Sequence, residues 1–331
     1  MLRVVVVVVA ALVSPAAGAA ESDPYWGWRS PPDDGTRSLD RSINLRLVRG
    51  LAVVNAERPS SCRDAARLLI GPLSVTADHF FRSEMRRWPM DRSPRTDADV
   101  ARFQALSVYR DAPLFPFGHM VPLDPTLRVD DVLIGPDKIG HFFTNGYRSW
   151  ERALQARQDG ADDDGAFRAA LLYGVDEELG WLGLGIDGVF SFADLHAASA
   201  GIRFFDNLCS HGGLVRHDDG RWSLERLFSF SAWVDPCWDE SFNTNAFADR
   251  EAAAVRAATF EVCPLLRARE VQDRRARYRA RGCHEPTRAL LTALVTDRLV
   301  PSPAAFDVDE ICPGARGGAD DDVIAAEPTL P

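Results

Sequence analysis

Gly135-Pro136-Asp137-Lys138-Ile139-Gly140-His141-Phe142-Phe143 contains the one lysine of a 331-residue chain that carries 37 arginines. Most cation positions in this protein are therefore arginine. Lys138 stands out as a place where a compact, titratable ammonium is used instead of a planar guanidinium. Pro136 suits the first position of a helix, where its missing N–H has no partner to lose, and Asp137 then meets the positive end of the helix dipole. The pattern predicts a helix from Asp137 to about Gln158. His141 follows Asp137 by one turn and shares its face. Such a pair can hold an imidazole in one tautomer, as general bases and metal ligands require, or can be a buried polar pair that fixes a helix.

Outward from this stretch, the acidic segment Asp159-Gly160-Ala161-Asp162-Asp163-Asp164-Gly165 turns the chain into a second predicted helix, Asp164 to about Trp181. Asp176-Glu177-Glu178 interrupts its apolar face. Glu178 lies beside the Val175/Leu179/Leu182 stripe and is the acid expected to point inward, where it needs a partner or a proton. A glycine-rich loop (Gly183, Gly185, Gly188) leads to a third helix, Ser191 to about Asn207. Ser191-Phe192-Ala193-Asp194 has the spacing of a capping box, and Ala197, Ala198, Ala200 and Gly201 form a face suited to close helix packing. Three amphipathic helices on short connections bring their motif-bearing faces together. Asp137, Lys138, His141, Glu178 and Asp194 are therefore expected to converge, with Lys138 touching at least one carboxylate.

The flanks complete a mainly α expectation. Residues 1–20 have a basic start, an apolar core and a small-residue end, the pattern of a secretory signal peptide cleaved near Ala20. Residues 21–38 read as a linker rich in proline, glycine and polar residues. Residues 39–235 read as a helical core domain. Its helices are expected near 39–58, 62–69 and 75–88, with a proline-rich extended stretch over 111–136. It ends in a β-hairpin over 213–235, turned at Asp218-Asp219-Gly220. Residues 236–312 read as a helical C-terminal subdomain, and 313–331 as a disordered acidic tail. The fold class is a multi-helix bundle with a small hairpin and a disulfide-clamped C-terminal part. Six cysteines in an exported chain favour disulfides, and the pairing is left open. No later run is long enough to span a bilayer. A net charge of −10 argues against nucleic acid as a partner. Seven arginines between residues 267 and 281 contrast with seven acids from Asp307 onward, so the tail either stays solvated or folds back on the basic helix with Cys312 fastening it.

Taken together, Asp137, Lys138, His141 and Phe142, then Glu178, then Ser191, Asp194, Leu195 and Gly201 resemble the YfiM-type periplasmic proteins and, more distantly, VanZ-type membrane proteins. The resemblance covers roughly residues 135–205. It implies a helical, envelope-located protein with a shared polar centre and supplies no reaction. The position four after the last Asp, often Asp or Asn in those groups, is Ala198 here. Two functions remain open at this level. One is a non-catalytic structural or binding role for the polar cluster, with an envelope component or another envelope protein as partner. The other is an acid–base or divalent-metal-assisted hydrolase acting on an envelope component, with Glu178 or His141 as base and Asp137, His141 and Asp194 as cation ligands. The sequence names no cofactor.

Overall fold

In a computed structural model the chain is described over residues 22–29, 31–74, 97–112, 126–180, 183–185 and 188–313. The expected signal peptide, the helix expected over 75–88 and the tail from residue 314 lie outside the described residues. The protein is mainly α, and the sheets among the described residues are two-stranded and antiparallel.

Helix Thr36–Glu57 buries Leu39, Ile43, Leu47, Leu51 and Val54, a stripe repeating about every four residues, against Ala65, Ala66, Leu69 and Leu73 of helix Cys62–Ser74. At the centre lies helix Phe192–Asp206, which is buried along almost its whole length. Helices Gly146–Gln158 and Asp163–Leu179 pack against it. Phe142 sits in the aromatic heart of the core, with ring centroids 5.4 Å from Phe204, 5.3 Å from Phe230 and 5.8 Å from Trp238. The predicted hairpin is present as Val215–Asp218 paired with Arg221–Leu224. Asp219 and Gly220 both adopt positive φ, the requirement of a two-residue type I′ turn. The stretch expected to be extended contains a second hairpin, Leu127–Val129 with Val132–Ile134, that delivers the chain directly to Asp137.

Three disulfides join Cys62–Cys209, Cys237–Cys283 and Cys263–Cys312. Two of them lie in the C-terminal part, as expected, and the third clamps the second helix to the end of the central one. Asp309 accepts from Arg275 at 2.8 Å and pairs with Arg279 at 3.4 Å, both on helix Arg269–Arg281. The segment from Asp307 to Cys312 thus does fold back on the basic helix, with Cys312 as its fastening.

Residues 21–38 are not a linker over their described first part. Ser22, Asp23, Tyr25 and Trp28 are all buried, and Trp26–Arg29 forms a helical turn. Two tryptophans and a tyrosine in eight residues carry enough apolar surface to outweigh the proline and glycine signals. Tyr25 and Trp28 share a core with Val255, Leu266, Val271 and Ile311 of the C-terminal part. The N-terminal segment therefore crosses the boundary expected at 235/236, as do Leu133 and Tyr278, whose backbone N–H and hydroxyl are hydrogen-bonded at 2.9 Å.

Candidate functional site

The predicted residues do converge. Pro136 adopts φ −58° and opens helix Asp137–Gly140, which continues into a π-helical turn, His141–Asn145. Turns of this kind occur as single bulges, frequently at functional sites. Lys138 is fully buried, and its Nζ lies 2.5 Å from Asp137 Oδ2, 2.6 Å from Asp194 Oδ1 and 2.5 Å from Glu240 Oε1. These three carboxylates come from its own helix, the central helix and the stretch after the Pro236–Trp238 turn. Asp137, Glu178, Asp194 and Glu240 are each no more than 5% exposed.

His141 engages Asp194, its Nε2 lying 3.2 Å from Asp194 Oδ2, and the expected Asp137 stays within reach, with an oxygen within 4.8 Å of the imidazole. Asp137 itself accepts from Lys138 and from the hydroxyl of Ser22 at 3.1 Å. On the other side of the ring, Asn145 Nδ2 lies 3.1 Å from Nδ1, and Glu178 Oε1 is 4.0 Å from the same nitrogen. Glu178 points inward, as its place beside the apolar stripe predicts. The loop that follows closes tightly on it, and a Cβ at Gly183 would stand 2.2 Å from the Glu178 carbonyl oxygen and 2.9 Å from Oε2.

The capping box forms only in half. Ser191 Oγ accepts from the Asp194 N–H at 3.2 Å, but the Ser191 N–H donates to Glu178 Oε2 at 3.4 Å. Asp194 is thereby released from capping and turned to Lys138 and His141. The Ser191 hydroxyl donates to Glu240 Oε1 at 3.1 Å and ties the third motif to the fourth carboxylate. Ala198, where the resembling families often carry a polar group, serves packing: its carbonyl oxygen would stand 3.1 Å from a Cβ at Gly146.

Three participants escaped the sequence. Glu240 sits in the polar, aromatic stretch after Cys237, whose composition marks it as able to flank a cleft without saying which acid turns inward. Ser22 was hidden by its linker-like surroundings, and Asn145 has no signal beyond lying one turn after His141. A second grouping of donors, His196, Asp235 and Cys237, brings ligand-type atoms together, but the Cys237 sulfur is held in a disulfide.

Four buried carboxylates face one ammonium and one imidazole, so the site carries surplus negative charge. Burial pushes Asp194 and Glu240 up to about 7; Lys138 opposes this and the neighbouring Asp137 adds to it. Burial acts the same way on Asp137, but Lys138, His141 and the Ser22 hydroxyl outweigh it and hold that carboxyl below its ordinary range. Glu240 Oε2 has no hydrogen-bond partner among the described residues and is a natural seat for a retained proton.

These shifts separate into pH windows. Folding raises Asp194 and Glu240, so their contribution is present below the ordinary carboxylate range and is lost as pH rises through about 7. Asp137 acts in the opposite sense, its contribution being lost only as pH falls below that range. Burial pushes His196 and His284 down to about 3 and about 4, so their contribution is lost as pH falls from 6.5. Above that value both are neutral in either state. The melting temperature is therefore expected to fall between about pH 6.5 and 8, and Glu240→Gln should flatten the slope. Thermal melts followed by circular dichroism at closely spaced pH values decide this. An identical slope in the variant would remove Glu240 as its source.

No family model matches the chain, and comparisons with curated proteins and with solved structures give no match.

Proposed function

We propose that the Asp137/Lys138/His141/Glu178/Asp194 cluster, completed by Glu240 and Ser22, is a non-catalytic ion network that fastens distant stretches of an exported envelope protein. The observation that carries this reading is the fully buried Lys138, held within 2.6 Å by carboxylates from three separate stretches. A general acid or base must meet its substrate, whereas these groups meet one another. A buried ion network of this kind is better attested as a device for conformational specificity than as a source of net stability. The three disulfides fit an oxidising compartment, and among the described residues no helix is long and apolar enough to cross a membrane. Export after cleavage near Ala20, the YfiM-type relationship, and an envelope component or envelope protein as partner belong to this proposal.

A second reading, the divalent-metal-assisted hydrolase, draws on one further observation. Asp137, His141 and Asp194 each offer a ligand atom within 4.8 Å of the others. One imidazole with two carboxylates suits a hard or borderline cation. The readings part on two measurements. For a network, His141→Ala and Glu178→Gln both lower the melting temperature, and added Mn2+, Zn2+ or EDTA leaves it unchanged. For a metal-assisted enzyme, Glu178→Gln leaves stability nearly intact, while saturating metal raises the parent's stability by about 2–3 kcal/mol at a hundredfold excess over Kd. Stabilisation by metal that disappears in Asp194→Asn would overturn the network reading.

A further inference from the structure

We propose that the pocket between helices Arg269–Arg281 and Glu285–Thr296, floored by the central helix, binds a small amphiphile with an apolar body and a single anionic head. The pocket is separate from the Lys138 cluster, and the proposal does not depend on how that cluster functions.

Its volume is about 630 Å3, within the range of roughly 300–1,000 Å3 that small-molecule sites occupy. Phe192, Phe242, Leu291 and Val295 supply apolar wall. Tyr278 contributes its ring, because its hydroxyl is engaged elsewhere by the Leu133 N–H and Asp239. The Cys237–Cys283 disulfide belongs to the lining and links the 3-10 turn at Pro236–Trp238 to the start of helix Glu285–Thr296. The walls are thus covalently held at one end, and the site is largely preformed, which lowers the ordering cost of binding.

The charge at the pocket selects the head group. Arg279 and Arg288 line it, both about half exposed, against the single acid Glu285. Arg288 pairs with Glu285 at 2.6 Å. Among the described residues the carboxylate that Arg279 reaches is Asp309, at 3.4 Å, which Arg275 already holds at 2.8 Å. One guanidinium is therefore in excess, and its planar fork suits a carboxylate.

His196, on the central helix, is a buried polar member of the lining. It is 3% exposed, and its Nδ1 has no hydrogen-bond partner among the described residues. Burial, reinforced by nearby cations, keeps the ring neutral, so it offers a hydrogen bond without a charge. A buried, unpartnered imidazole nitrogen is unfavourable unless something polar meets it, and His196 is among the residues that line the pocket. An oxygen-bearing amphiphile does so, and a pure hydrocarbon does not.

The test uses the full chain and three probes with one tail length: decanoate, decanol and decyltrimethylammonium, each below its micelle concentration. Isothermal titration calorimetry should give decanoate an affinity about tenfold or more above the other two, the scale of one charge-assisted contact. Arg279→Gln with Arg288→Gln, both at half-exposed sites, should bring decanoate to the level of decanol. Thr292→Trp, an exposed lining position that would fill the pocket, should remove binding of all three. Equal affinity for the three heads, decanoate binding untouched by either variant, or no binding of any probe would each overturn the assignment.

Discussion

Lys138→Met is expected to prevent the protein from accumulating in folded form, and the triple variant Lys138→Met/Asp194→Asn/Glu240→Gln is expected to restore it. The single substitution removes the ammonium that three buried carboxylates share at 2.5–2.6 Å. Breaking a buried ion network by deleting one partner costs about 3–5 kcal/mol, because the remaining charges stay buried without compensation. Whole domains are stable by only about 5–15 kcal/mol, so the loss removes a large share of the total. The triple variant replaces the two carboxylates with neutral amides of the same shape. Asp137 then remains as the one carboxylate of the former Lys138 trio, beside Ser22 Oγ and the His141 imidazole, with Glu178 on the other side of that ring. Lys138→Arg should fail nearly as badly as methionine, since a larger planar group must enter a site with no exposed surface. Soluble yield and urea midpoints measure all three. A Lys138→Met protein as stable as the parent would show that the network contributes nothing to folding. A triple variant no better than the single one would place the loss elsewhere than in uncompensated charge.

The same residues show what could and could not be seen in the chain. The solitary lysine, the Pro-Asp helix start and the inward Glu178 each have a local cause, namely composition, capping chemistry and helical spacing. The convergence of Asp137, Lys138, His141, Glu178 and Asp194 followed from short connections between amphipathic helices. The pairing within the cluster did not follow. Asp137 and His141 share a helix face and stay near each other, yet Lys138 and Ser22 hydrogen-bond the aspartate and the imidazole also meets Asp194 at 3.2 Å. Ser191 and Asp194 have capping-box spacing, yet the Glu178 carboxylate takes the N–H that Asp194 would have held. Local patterns record which groups are available, and long-range competition decides which of them meet. Glu240 lies 102 positions from Lys138, and Ser22 lies 115 from Asp137. No periodicity spans such gaps. The buried Ser22–Trp28 segment was obscured for a related reason: its Pro and Gly signals are local, whereas Tyr25 and Trp28 share their core with residues far along the chain, from Val108 to Ile311.

Gly201→Ala is expected to be the most damaging change of a single methyl group, and the opposite response of Gly71→Ala identifies why. A Cβ at Gly201 would stand 2.0 Å from the Phe142 carbonyl oxygen and 2.8 Å from Gly146 Cα. Both obstacles are backbone, so no side chain can rotate aside and the two helices must separate. Overpacking of this kind costs about 1–3 kcal/mol and more where the backbone must move. The separation also reaches the cluster, because His141 precedes Phe142 on one helix while Asp194 lies two turns before Gly201 on the other. The 3.2 Å contact between His141 Nε2 and Asp194 should lengthen with it. Gly71 lies within helix Cys62–Ser74, and a Cβ there would meet nothing within 4 Å. Alanine at that site should therefore stabilise by about 0.5–1 kcal/mol through its better helix propensity. The measurements are denaturation midpoints for both variants, with the His141 imidazole resonances followed by NMR in Gly201→Ala. Equal shifts at the two glycines would mean that helix propensity alone governs them. A Gly201→Ala protein of parental stability would deny the close approach of the central helix to the Lys138 helix, and with it the framework that holds the cluster together.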